Sequence, residues 1–294
     1  MMTLQIPCKN FVEKILDYAG MFPPAELTLA EAVHEYDVHS RSPEAWILRS
    51  FICPAGELPA LATLSPIPQA ITVVGRHREG DFLRNVEEDL ANIGAFPAGI
   101  RAYEVRIPAS GGVDHMERIL RLLKVRGLAL TPYFEVDLRG GAVVSTLAKA
   151  LPGTGGGLKL RCGGSRPDLI PTSEQAAEVI LACRDAAVPL KFTAGLHHPV
   201  RHHDSGVGGV AHGFLNMFGA AIFASIHRLS FRETVQILEE TNPSNFRFEE
   251  GFHWKHLEAS SEQIVELRKE LLPGFGCCSF EEPIYDLKML RWIP

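Results

Sequence analysis

Four short apolar runs in the middle of the chain carry charged residues at alternate positions. Glu104 and Arg106 stand two apart in Ile100–Pro108. Glu135 and Asp137, with Tyr133, do the same in Leu130–Asp137, Lys159 and Arg161 in Gly157–Gly164, and Lys191 and Thr193 in Val188–Leu196. In extended chain residues i and i+2 share a face, so the charges of each run point one way while Val105, Phe134, Leu160 and Phe192 point the other. A charge is costly to desolvate unless it is paired or used. Four such runs in succession therefore predict a shared polar pocket. In it Lys159 and Lys191 would activate a carbonyl, Glu104 and Glu135 would act as bases, and Arg161, Arg106 and Thr193 would hold a small anionic substrate. The alternative is that both lysines only bind an anion or pair with Glu104 and Glu135 in a rim that locks the strands.

A histidine-rich stretch follows the last run: His197, His198, His202 and His203. Strand alternation carried forward puts His197 on the face of Lys191 and Thr193. Imidazole titrates near neutral pH, so His197 or His198 is expected to move protons, with Glu104 or Glu135 as partner. A divalent metal held by His197, His202, His203 and Asp137 is the alternative, and no other cofactor is implied. Glycines and helix starts add candidate anion sites, because backbone N–H groups can approach a phosphate or carboxylate there. They are Gly163 and Gly164, Gly195, the stretch Ser205–Gly213 ahead of an apolar helix from Phe214, and Ser279 ahead of a helix near Glu282.

The elements that must position these residues alternate. Strands are expected at Ala45–Cys53, Ala70–Gly75, Ile100–Pro108, Leu130–Asp137, Gly157–Gly164, Val188–Leu196, and more weakly at Asn245–Glu250 and Gly274–Phe280. Helical periodicity separates them at Asp114–Val125, Ser173–Ala187 and Ser261–Leu272. Capping boxes are read at Thr28 with Glu31, Thr172 with Gln175, Ser230 with Glu233 and Ser260 with Gln263. This order implies an α/β fold of the (β/α)8 barrel type with its pocket at the C-terminal mouth. The seventh unit is irregular, since Phe246–Trp254 also reads as a hairpin about Glu250-Gly251. The chain is read as a single domain, 1–294, in which 1–44 form a helical and loop extension. Its DYAGMFPPAE segment would plug one end of the barrel, with Asp17 or Tyr18 able to reach the pocket.

The 294 residues are 46% apolar and 22% charged, with a net charge of −6, which argues against a nucleic-acid partner. No run is long and apolar enough to span a membrane, and the start lacks a secretory pattern. Six cysteines without a CxxC pair read as reduced thiols, so a cytoplasmic protein is expected. A homo-oligomer is compatible with all of this.

The strings LKLRCGG and LKFTAGL resemble class I aldolases of the deoxyribose-phosphate type, which carry one lysine on each of two consecutive barrel strands. The resemblance implies that Lys159 forms a Schiff base, that Lys191 lowers its pKa, and that the substrate is a phosphorylated or carboxylated carbonyl compound cleaved at a carbon–carbon bond. The chain departs from that pattern in Arg161 and in His197-His198-Pro199. The strings DYAGMFPPAE, LKLRCGG, KFTAGLHHPVRH and HGFLN resemble an uncharacterised family of bacterial proteins, which implies a shared pocket but no particular reaction. Three functions stay open: a lysine-assisted carbon–carbon lyase, a metal-dependent isomerase or hydrolase, and a non-enzymatic barrel that binds a metabolite or a partner.

Overall fold

The computed structural model describes residues 4–76, 81–97, 99–108, 111–136, 138 and 142–294. Among them eight parallel strands close into a barrel: β1 (Leu16–Tyr18), β2 (Leu48–Pro54), β3 (Ile71–Val74), β4 (Ile100–Arg106), β5 (Thr131–Glu135), β6 (Gly157–Arg161), β7 (Leu190–Thr193) and β13 (Phe275–Cys277). Each strand pairs with the next around the ring, and β13 closes it between β7 and β1. Outward residues such as Tyr103, Phe134, Leu160 and Phe192 are fully buried. The surrounding helices include α2 (Leu29–Ser40), the short α3 (Leu58–Leu61), α4 (Phe82–Ala95), α5 (Gly112–Val125), α6 (Ala142–Ala150), α7 (Ser173–Ala186) and α11 (Glu281–Met289). This is the (β/α)8 arrangement that the strand–helix alternation predicts.

Local sequence explains the helix starts. Thr28, Thr172, Ser230 and Ser260 each accept the N–H of the residue three on, whose Glu or Gln reaches back to the cap N–H. All four boxes expected from the sequence are present, and each satisfies two otherwise orphaned donors.

Two strand assignments are corrected. The first barrel strand is not Ala45–Cys53 but Leu16–Tyr18, inside the segment read as a loop in the N-terminal extension. Asn245–Glu250 is not a barrel strand either. Between β7 and β13 the chain makes a long excursion through a β8–β9 hairpin (His202–Asp204 and Gly209–Ala211), α8 (Phe214–His227) and α9 (Phe231–Leu238). It then forms an antiparallel sheet, β10 (Phe246–Phe248), β11 (Gly251–Trp254) and β12 (Leu257–Ser260), followed by α10 (Ser261–Glu270). The three-stranded sheet is anchored by aromatic packing: Phe252 stacks on Phe248, and both meet Phe11 of α1 (Ile6–Val12). That apolar face is covered by α1 and by α8, where Phe223 stacks on Phe252. Among the described residues no helix is long and apolar enough to cross a membrane.

Candidate active site at the barrel mouth

The inward-facing residues of six strands build one chain of charges along the barrel axis. Register places Lys159 directly opposite Lys191, Glu135 opposite Lys159, and Asp17 beside Ser50. Starting from β2, Arg49 binds Asp17 at 3.0 Å, and Asp17 binds Lys191. Lys191 binds Oε1 of Glu104, whose Oε2 holds Lys159 at 2.7 Å. Lys159 also binds Glu135 at 3.0 Å, and Glu135 meets Arg161 at 3.3 Å. Signs alternate throughout, four cations against three carboxylates. Ser50 adds a hydroxyl to Asp17 and contacts Thr72 at 2.9 Å, while the ring of Tyr133 lies 5.8 Å from the Lys191 ammonium.

Exposure is lowest in the middle of this chain. The Arg161 side chain is 43% exposed, that of Lys159 5%, that of Lys191 not at all, and that of Arg49 at the other end 25%. For Glu104, Glu135 and Lys159 burial opposes ionisation, but the partners outweigh it. Burial pushes Glu104 up, yet Lys159 and Lys191 together bring it down to about 2. Glu135 is likewise lowered, against its burial, by Lys159 and Arg161. Lys159 is raised above the ordinary lysine range: burial works against its charge, and Glu104 and Glu135 overcome it. The expectation that Lys191 depresses the Lys159 pKa is therefore corrected, because Glu104 stands between the two ammonium groups.

A second cluster sits beside the last strand. The Nδ1 of His197 donates to Oε2 of Glu282 at 2.6 Å, and its Nε2 lies 3.7 Å from the Sγ of Cys278. Next to it the Nδ1 of His198 donates to Asp286 at 2.6 Å, and the His198 ring meets the His202 ring edge to face at 4.4 Å. Glu282 and Asp286 are one turn apart on α11, so consecutive histidines find consecutive acids. This overturns the pairing of His197 or His198 with Glu104 or Glu135, whose oxygens hold the lysines. It also explains why His197 leaves the face of Lys191: Ala194 and Gly195, with φ of 61° and 72°, turn the chain out of the strand.

The remaining expected site residues divide. Thr193 faces inward opposite Arg161 and beside Gly276. Arg106 lies opposite Glu135. Gly163 and Gly195 press backbone to backbone, and a Cβ on Gly163 would come within 2.8 Å of the Gly195 Cα; Gly164 is covered by Leu169. Their close packing thus has a structural cause. Ser279 Oγ accepts the Glu282 N–H at the start of α11. The start of α8 is no anion site, since the N–H groups of Phe214 and Leu215 are taken by the carbonyls of His198 and Pro199. In the HGFLN string, His212 binds the Pro171 carbonyl, and Asn216 holds the carbonyls of Ile237 and Glu240. Both are buried supports of the loop.

The expected metal set does not assemble among the described residues, where no group of three or more His, Cys, Asp or Glu could hold an ion. His197 is committed to Glu282 and Cys278, and His202 to the Val200 carbonyl. His203 is exposed on β8, and Asp137 lies outside the described residues. Sequence reasoning missed Asp17 as a central member and gave Cys278 and Glu282 no functional role. The first signal was present, since Ile15-Leu16-Asp17-Tyr18-Ala19 has the same charge-in-apolar pattern as the other four runs.

No protein-family model matches the chain, and no curated protein matches its sequence. Among solved structures, deoxyribose phosphate aldolase from Aeropyrum pernix, a tetramer, aligns over 66% of this chain and 86% of its own, with 11% identity and a TM-score of 0.45. A likeness of that degree does not carry chemistry from one chain to the other.

Proposed function

We propose that this barrel is an enzyme acting on a small anionic carbonyl compound, in lysine-assisted carbon–carbon cleavage or formation at the C-terminal mouth. One observation carries the reading: Glu104 grips two lysines that face each other on adjacent strands, and the outer one, Lys159, lies just below a partly exposed arginine. Arg161 and Arg106 would hold the anionic group of the substrate and so aim its carbonyl carbon at Lys159.

The balance of charge favours this use. An ammonium and a carbonyl condense to an iminium and water, so one positive charge stands at Lys159 before and after. Glu104 and Glu135, which keep the resting amine protonated, are equally placed to stabilise the iminium. Only a transient proton loss to Glu135 separates the two states. The iminium then withdraws electrons from the bond to be broken.

The raised pKa of Lys159 favours a second reading of the same site. In it Lys159 stays an ammonium, polarises the carbonyl by charge, and forms no adduct. Incubation with cyanoborohydride and either pyruvate or glyceraldehyde 3-phosphate separates the two. A mass increase mapped to Lys159, absent in Lys159→Met, supports the imine. Turnover without any adduct supports the ammonium. Neither adduct nor turnover with any small oxo acid or phosphorylated aldehyde would leave a binding protein and remove the enzyme reading.

A further inference from the structure

We propose that Cys278, His197 and Glu282 form a second chemical centre at the barrel rim, a cysteine nucleophile with its base and orienting acid, suited to activated acyl compounds such as esters and thioesters. The geometry has the two contacts such a relay needs. Nε2 of His197 reaches Sγ of Cys278 at 3.7 Å, within range for sulfur, and Nδ1 is fixed by Glu282 at 2.6 Å. The imidazole thus has one nitrogen for the thiol and the other held by a carboxylate. The three residues come from three elements: the end of β13, the loop after β7, and the first turn of α11.

The surroundings favour a thiolate. Cys278 lies three residues ahead of α11, whose N-terminal end favours negative charge. The Cys278 thiol is brought down to about 5: the Cys277 thiol donates to it, burial opposes this, and His197 and the Ala25 N–H add to the lowering. His197 is brought up to about 9 by Cys278 and Glu282, against its burial. Facing the thiol from β1 is Tyr18, bonded to Glu35 of α2, with Glu281 of α11 near that tyrosine; Glu282 of α11 stands on the far side of His197 and near Cys277. The other cysteines behave differently. Cys8, Cys53 and Cys162 are pushed up to about 12 by burial, and Cys183 and Cys277 also rise. The cluster opens to solvent through His197, 20% exposed, and Glu282, 53% exposed, while Cys278 itself retains 9%.

The step closes chemically. The thiolate attacks the acyl carbon, a C–S bond forms, and the bond to the leaving alcohol or thiol breaks as Nε2–H of His197 protonates it. Water then adds to the thioester, the now neutral imidazole takes its proton, the carboxylic acid leaves, and the thiolate–imidazolium pair returns. This centre is independent of the lysine site and stands or falls separately.

The test uses the intact chain with two probes. Iodoacetamide is applied from pH 5 to 9, with the labelled cysteine located by mass spectrometry. Cys278 should label first, with a midpoint well below the ordinary thiol value of about 8.5. His197→Gln should lower its rate at pH 6 by about tenfold or more and move the midpoint upward. p-Nitrophenyl acetate should then give a burst of one nitrophenolate per chain and an acetyl group on Cys278, both lost in Cys278→Ser. Labelling of Cys278 no faster than Cys277, a midpoint near that of an ordinary thiol, or acetylation elsewhere would overturn the proposal. The pH profile of the unaltered protein decides the matter even where a variant does not fold.

Discussion

Lys159 and His197 each stand between two acidic groups, one on the barrel axis and one at its rim. Lys159 lies between Glu104 and Glu135 with 5% of its side chain exposed. His197 lies between Cys278 and Glu282 with 20% exposed and an open neighbour. On the axis every partner drives protonation further from neutrality: Glu104 and Glu135 fall and Lys159 rises. At the rim the usual order inverts, the thiol becoming the stronger acid and the imidazole the stronger base. The same material, a cation among anions, thus gives a fixed electrostatic frame where water is excluded and a proton-exchanging couple where it is not.

Removing Glu104 is the strongest way to break that comparison. Glu104→Leu strips one counterion from each of two buried lysines and is expected to cost about 3–5 kcal/mol. Urea denaturation measures it, and a loss below about 1 kcal/mol would mean that the axis is not a fixed frame.

Stability against pH should differ next. Glu104 and Glu135 have folded pKa values below their unfolded ones, so their contribution is present above the unfolded value and lost as pH falls through the folded one. For Glu104 that window runs from 4.5 to about 2. Lys159 has a raised folded pKa, so its contribution is present up to 10.5 and lost above it. The rim adds opposing slopes. His197 loses its contribution as pH rises from 6.5 to about 9, and Cys278 loses its own as pH falls from 9.0 to about 5. Urea midpoints should therefore fall at both extremes and stay flat between pH 6.5 and 9. A steep change inside that interval would show that the thiol and imidazole do not titrate as a pair.

Arg161→Gln sharpens the boundary between the regions. Its side chain is 43% exposed, so stability should fall by about 1 kcal/mol or less. Affinity for an anionic carbonyl compound, followed by calorimetry, should fall far more. The smallest effect is expected from Asp286→Asn, which removes the acid that holds His198. About 0.5 kcal/mol or less should be lost in a thermal melt, because His198 is itself 41% exposed. Cys278 labelling should be unchanged, since Glu282 rather than Asp286 orients His197.

The axis was legible in the sequence because strand alternation is strict: a charge at every second place in an apolar run can only face inward. Glu104, Glu135, Lys159 and Lys191 were found this way. Asp17 was read only as a loop residue able to reach the pocket, because three residues of strand among a helix and a Pro-rich loop give too short a pattern to separate from a turn. The rim could not be read as a unit. Cys278, His197 and Glu282 lie on different elements, and only the ring closure brings β13 beside β7. Strand alternation carried past Thr193 also misplaced His197, since a left-handed pair at Ala194-Gly195 leaves no mark that apolar periodicity would catch.

The position of β13 also shapes how the molecule can be made. Until Phe275–Cys277 is synthesised and docked, the first strand and the seventh each present an unpaired backbone edge, and such edges recruit other chains. The nascent protein must therefore carry nearly its whole length in an aggregation-prone state. Premature termination shortly before β13 should yield insoluble product rather than a weakened fold.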